Sequence, residues 1–132
     1  MLACLLLIAA LFVPAQAAGG VPNAIDSGVW HGGHCQGIAV DRENGFIYYS
    51  FTTELVKTDL QGNLIGSVTG LLGHLGCIDF CDRDGRLYGS LEYKRDAIGQ
   101  DILERLGSDA ELEDAFYIAI FDADRINREN MD

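Results

Sequence analysis

The sequence predicts an all-β protein, and three observations predict it. A stretch of about forty residues is written twice in phase, strand patterns alternate with turn signals inside each copy, and the composition supports a packed core rather than a helical or disordered chain. Of 132 residues, 48% are hydrophobic, with 16 Gly against 2 Pro. That apolar fraction excludes disorder, and glycines without a three-residue period exclude collagen. The length allows one small domain. Twenty acidic against nine basic residues give a net charge of -11. A surface so acidic repels phosphate backbones, so nucleic acid is not expected as a partner.

The repeat is read by laying HCQGIAVDRENGFIYYSF over HLGCIDFCDRDGRLYGSL without a gap. His34 and His74, Ile38 and Ile78, Gly45 and Gly85, Tyr48 and Tyr88, and Ser50 and Ser90 all keep an offset of 40. Apolar residues match apolar ones between these identities.

Within the first copy, Gly37 to Val40 is a short apolar run and Arg42-Glu43-Asn44-Gly45 is a turn signal. Phe46 to Phe51 is aromatic-rich, Leu55 to Leu60 alternates, Gln61-Gly62-Asn63 turns, and Leu64 to Val68 supplies a fourth strand. The second copy gives Cys77 to Phe80, a turn at Asp82-Arg83-Asp84-Gly85, and Arg86 to Leu91. Four short antiparallel strands in about forty residues match one blade of a β-propeller.

A helical insertion is expected over 94–115, where Ile98, Ile102, Leu103 and Leu106 recur at helical spacing and Gly107 stops the helix. Ser108 with Glu111 has the form of a capping box that would start a second turn. Strand character returns at Phe116 to Phe121, and Asp122 matches Asp59 at an offset of 63, so the insertion adds 23 residues. Loops on one face of such a scaffold commonly shape a binding mouth. The polar run Asn127 to Asp132 follows before a fourth strand of the second copy is written.

The expected organisation is a signal peptide over 1–18, a linker over 19–33, one blade over 34–73, and an incomplete second blade over 74–132. Leu2 to Val13 is almost wholly apolar, Pro14 breaks it, and Ala15-Gln16-Ala17 is the small-x-small pattern that a signal peptidase accepts. A buried N-terminal helix and an uncleaved membrane anchor are the alternatives. No Lys or Arg precedes the apolar core, a departure from the usual signal. Export would make the protein secreted or periplasmic, without a stable membrane span once the signal is removed. Of the cysteines left after cleavage, Cys35 and Cys77 are the expected bridge in an oxidising compartment, and Cys81 the odd thiol. Fewer than two complete blades cannot close a ring, so a fragment of a longer propeller is expected, one that self-associates through open strand edges.

GIAVDRENGFIYYS followed by VKTDLQGNLIGSV resembles a blade of the secreted bacterial propellers in the broad group of NHL-repeat proteins, the TolB propeller and the regucalcin/gluconolactonase-like enzymes. The likeness covers Gly37 to Val68 well and Cys77 to Leu91 moderately. It implies the scaffold and leaves the activity open, because such scaffolds host binding proteins, lactonases and lyases. Enzymes of that group hold a divalent cation on the axis through carboxylate and amide side chains. Here the corresponding places carry His34 and His74.

Both histidines precede an innermost strand and would sit at equal heights around a central channel, where imidazoles bind a transition metal or relay protons. One divalent metal ion held by His34 and His74 is therefore the candidate cofactor. His31, in Trp30-His31-Gly32-Gly33-His34, is placed to join them as a ligand-binding residue. Glu92, beside Leu91 and Tyr93 at the mouth, is the candidate catalytic acid or base, and Tyr93 a ligand contact. Pairing with Lys94 or Arg95 is the alternative for Glu92. Tyr48, Tyr49 and Tyr88 are expected to pack between blades. The function these readings favour is binding of a small-molecule or protein ligand at the channel mouth. A metal-assisted lactonase or lyase and a structural interaction scaffold are the alternatives.

Overall fold

The computed structural model describes residues 22–132, so the apolar segment Leu2 to Val13 and its cleavage signal lie outside the described residues. Among the described residues, seven strands form two antiparallel sheets. The first contains β1 (Cys35–Asp41), β2 (Phe46–Phe51), β3 (Glu54–Asp59) and β4 (Leu64–Val68) in the order β1-β2-β3-β4. The second contains β5 (His74–Cys81), β6 (Arg86–Tyr93) and β7 (Ala115–Asp122) in the order β5-β6-β7. One helix, α1 (Ala97–Leu106), lies between β6 and β7, and a short 3-10 turn follows over Ala123–Arg125.

The repeat survives in three dimensions. Tyr48 pairs with Ala39 and Lys57, and Tyr88 pairs with Asp79 and Ile120, so the matching tyrosines hold the same place in separate sheets. The β1–β2 and β5–β6 turns also match. Gly45 and Gly85 both adopt positive φ, 75° and 68°, and their amides donate to Asp41 O and Cys81 O at 3.0 Å. That left-handed backbone at equivalent positions is why both copies carry glycine there.

Alternation along the strands gives each sheet two apolar faces. Ala39, Tyr48 and Leu55 of the first sheet meet Leu75, Ile78 and Leu87 of the second in the main core. On the opposite face of the first sheet, Ile47, Tyr49, Phe51 and Val56 are covered by Ile25 and Trp30 of the N-terminal segment. Two polar links cross the main core. Ser50 Oγ donates to Gly76 O at 2.6 Å, and buried Lys57 donates from Nζ to Ala123 O at 2.9 Å while lying 4.1 Å over the Phe46 ring.

Several sequence expectations need correction. His74 is the first residue of β5 rather than its predecessor. The helix spans 97–106 only, and Ala115 already belongs to β7. No second helical turn follows Gly107: Ser108 Oγ accepts from Ala110 N at 3.2 Å, and the segment to Asp114 is irregular. Cys35, Cys77 and Cys81 are free thiols, so the expected Cys35–Cys77 bridge is not formed. Cys35 Sγ lies 3.7 Å from Gly37 O, whereas Cys77 Sγ lies 3.6 Å from Ser90 Oγ on its own sheet. In phase with the repeat, Cys35 corresponds to Leu75 and Cys77 to Gly37, so the two never shared a register. Of the three tyrosines, Tyr48 alone packs between the sheets. Tyr49 faces the N-terminal segment, and the Tyr88 hydroxyl donates to Asp84 at 2.7 Å on the outer surface.

The polar tail does not extend the second sheet. It returns to the first, where Ser67 N donates to Arg128 O at 3.0 Å, Met131 N to Ser67 O at 2.9 Å and Thr69 N to Met131 O at 2.8 Å. A parallel bridge joins Val68 to Met131. The outer edge of β4 is thereby covered, and β7 forms the outer edge of the second sheet among the described residues.

Candidate functional site

The site grows from one difference between the two sheets. Between β2 and β3 the chain turns through Thr52 and Thr53, whereas between β6 and β7 it leaves at Tyr93 and returns at Ala115, the last paired rung of that hairpin. β6 and β7 are eight residues each where β2 and β3 are six, so part of the insertion lengthens the hairpin. The rest forms α1 and the irregular segment after it. Asp96 caps the helix, its Oδ1 accepting from Ile98 N at 3.0 Å and Gly99 N at 3.2 Å. Gly107 ends it in the left-handed conformation, as its position in the sequence indicates. Arg95 ties the two limbs of the insertion: its backbone N donates to Asp114 Oδ1 at 2.9 Å and its Nε to Leu112 O at 2.8 Å.

Beside these limbs lies a cavity of about 540 Å³, lined by Tyr93, Arg95, Leu112, Glu113 and Tyr117 together with Leu72 and Leu91. Tyr93 and Tyr117 meet edge to face with ring centroids 5.6 Å apart. The Tyr117 hydroxyl donates to Glu113 Oε1 at 2.5 Å, and that hydrogen bond holds the phenol above its ordinary pKa. Arg95 makes no ion pair among the described residues, so its terminal nitrogens are left for another acceptor. The cavity therefore offers aromatic and aliphatic walls with one guanidinium and carboxylates at the edge, the mixture common in small-molecule sites.

Tyr93 is the sequence-selected residue that enters this cavity. His74 and Glu92 face each other as a register pair of β5 and β6 and lie in a neighbouring small crevice beneath α1, with Lys94, Ile98 and Ile102. Glu92 is ion-paired with Lys94 at 3.0 Å, and that contact raises the Lys94 pKa. His34 is exposed immediately before β1, and His31 is exposed on the N-terminal segment. Among the described residues no group of three or more His, Cys, Asp or Glu is placed to hold a metal.

Glu54 went unnoticed in the sequence. Placed at the start of β3, it is buried, and Gly32 N donates to its Oε2 at 3.2 Å. Burial pushes its carboxyl above the ordinary glutamate pKa, while the Gly32 amide and the nearby His31 pull it down. The first sheet and the N-terminal segment are further joined by Thr53 N donating to Gly32 O at 2.9 Å. The tripeptide Thr52-Thr53-Glu54 carries no pattern that marks a buried acid; only the docking of His31-Gly32-Gly33 makes it one.

No helix among the described residues is long and apolar enough to cross a membrane. A scan against protein-family models finds no match, and a search of curated proteins finds none.

Proposed function

We propose that the chain is an exported propeller-type protein whose repeat supplies neighbouring blades over 34–73 and 74–132, and that it binds a small ligand in the cavity beside the insertion. The single observation that carries the binding reading is the cavity itself, which lies where a two-residue turn of the first sheet is replaced by α1 and its flanking limbs. A ligand suited to it has a flat apolar body to lie against Tyr93 and Tyr117 and an anionic group for the terminal nitrogens of Arg95. Glu113, engaged by the Tyr117 hydroxyl, fixes that ring and narrows access for a second anionic group. Export rests on the apolar run Leu2 to Val13 and on Ala15-Gln16-Ala17.

A thermal-shift and NMR screen of aromatic carboxylates against neutral aromatics of the same shape tests this reading. The carboxylates are expected to bind preferentially, Arg95→Gln to remove that preference, and Tyr93→Ala to weaken both sets by roughly tenfold or more. Equal response of the wild type and Tyr93→Ala, or chemical-shift changes confined to other surfaces, would overturn it.

A further inference from the structure

The main core joins two unlike faces. The first sheet contributes Ala39, Tyr48, Ser50 and Leu55, and the second contributes Leu75, Ile78, Phe80 and Leu87. In phase with the repeat, Tyr88, Ser90, Ile118 and Ile120 stand on the outer face of the second sheet where Tyr48, Ser50, Leu55 and Lys57 stand on the first. Ser50 and Leu55 are fully buried, but Ile118 is 71% exposed. The converse holds on the outer face of the first sheet. Ile38 and Val40 occupy the places of Ile78 and Phe80, and Ile38 is 60% exposed. Ile25 and Trp30 cover the β2 and β3 side of that face and leave its β1 side open. The molecule thus displays both halves of an interface that it has already made once within itself.

We infer that this chain associates head to tail with a second copy of itself, the Tyr88/Ile118/Ile120 face of one copy receiving the Ile38/Val40 face of the next. The inference rests on the repeated-sheet part of the reading above and needs no ligand. Tyr48 stacks on Phe80 across the internal interface, and Tyr88 would receive Val40 of the second copy in the same place. Ser50 donates to Gly76 O, and the matching bond runs from Ser90 to the Gln36 carbonyl of the second copy. The docking faces depart from the internal template at several places: Ile118 and Ile120 replace Leu55 and Lys57, Val40 replaces Phe80, Asp79 replaces Ala39, and Cys77 replaces Gly37, whose own approach to Cys77 Cα leaves little room for a side chain. The Asp79 carboxylate sits in the docking face and opposes its closure. Because the two faces are unlike, the contact is heterologous and extends beyond a dimer unless a ring closes.

Sedimentation velocity of the full chain over a wide concentration series, under reducing conditions because Cys35 and Cys77 are exposed thiols, tests the inference. The wild type is expected to grow in mass with concentration, and Ile118→Asp and Ile38→Asp each to weaken association by roughly thirtyfold or more, the scale of a hot-spot loss. Mixed together, the two variants still own one intact face each, so they are expected to form a 1:1 dimer that grows no further. Asp79→Ala is expected to tighten wild-type association by roughly tenfold. A wild type that stays monomeric throughout overturns the inference, as does an Ile38→Asp chain that still pairs through like faces, or a mixture that stays monomeric. Circular dichroism and cooperative melting check the variants, and Ile120→Asp and Val40→Asp replace any that unfolds. Monomers that bind aromatic carboxylates sink this inference alone, whereas assemblies that bind none sink only the ligand reading.

Discussion

Tyr48 stacks on Phe80 across the two sheets, with ring centroids 5.7 Å apart and planes 13° from parallel. Tyr48 comes from the second strand of one sheet and Phe80 from the first strand of the other, so this contact fixes both the spacing and the relative slide of the sheets. The tyrosine is 1% exposed, and burial, with Asp41 and Asp124 nearby, keeps its hydroxyl protonated far above the ordinary range. Tyr48→Ala is expected to cost about 3–5 kcal/mol, as for other large buried aromatics. Urea unfolding of Tyr48→Ala, Phe80→Ala and the double variant should yield a coupling of about 0.5–1.5 kcal/mol. A coupling near zero would show that the sheets are held by area alone.

Lys57 is a buried charged residue on the same sheet face as Tyr48, and burial lowers its pKa against the opposing pull of Asp124 and Asp41. A lysine whose folded value is depressed gives its full stabilisation above the ordinary lysine range and loses it as pH falls through the folded value. Lys57→Met keeps the length and abolishes the donor, leaving Ala123 O without its 2.9 Å partner. The expected cost is about 1–3 kcal/mol near neutrality, larger in alkali. Denaturant midpoints measured at neutral and alkaline pH test both the size and the trend.

Glu54 behaves in the opposite sense. Its folded-state pKa is raised, so its contribution is complete below the ordinary carboxyl value and is lost as pH rises through the folded one. Glu54→Gln retains an acceptor for Gly32 N and removes the charge. The variant is expected to gain on the wild type as pH rises from acid to neutral, and parallel stability curves would show that the carboxyl is solvated instead.

Asp59 organises the β3–β4 turn, where its carboxylate accepts from Asn63 Nδ2 at 2.7 Å and from the amides of Asn63 and Gln61 at 2.9 Å. The Asn63 side chain is the main cause of its lowered pKa. That stabilisation is present above the ordinary aspartate value and lost as pH falls through the folded one. Asn63→Ala is expected to raise the Asp59 pKa in an NMR titration and to shift acid unfolding to higher pH; an unchanged titration would refute the turn's role.

Gly99 controls the insertion. A Cβ there would overlap the Lys94 carbonyl oxygen and press on Leu112. Gly99→Ala favours the helix intrinsically by about 1 kcal/mol yet cannot be seated without lifting α1. Faster amide exchange across 97–112, with the two sheets unchanged, is the expected result.

The two copies, their strands and the turns at Gly45 and Gly85 were legible in the sequence because each depends on local pattern: period-two apolarity, turn chemistry, and positive φ at glycine. The helix and its end at Gly107 were legible for the same reason. The Ser108 and Glu111 pattern misled, since a cap stabilises a helix only if an apolar face follows to be buried, and here Leu112 turns inward alone. Tyr93 was found near the cavity through its neighbourhood, but Arg95, Leu112 and Tyr117 were not, because residues on both limbs of the insertion meet only after the chain closes on itself.

By itself the sequence determined a four-strand pattern of which three strands recur, an insertion in the second copy, and strand faces of alternating character. Tertiary structure alone decided which face of each sheet is covered. Tyr48 and Tyr88, or Ile38 and Ile78, are identical in type and register, yet one of each pair is buried and the other is not, because burial depends on what packs opposite rather than on the residue. The same holds for Glu54 and Lys57, whose ionisation is shifted by burial and whose polar partners, Gly32 and Ala123, lie 22 and 66 residues away. Likewise the tail from Arg128 to Met131 pairs with β4 because its backbone groups find open partners there, a preference its polar side chains do not encode.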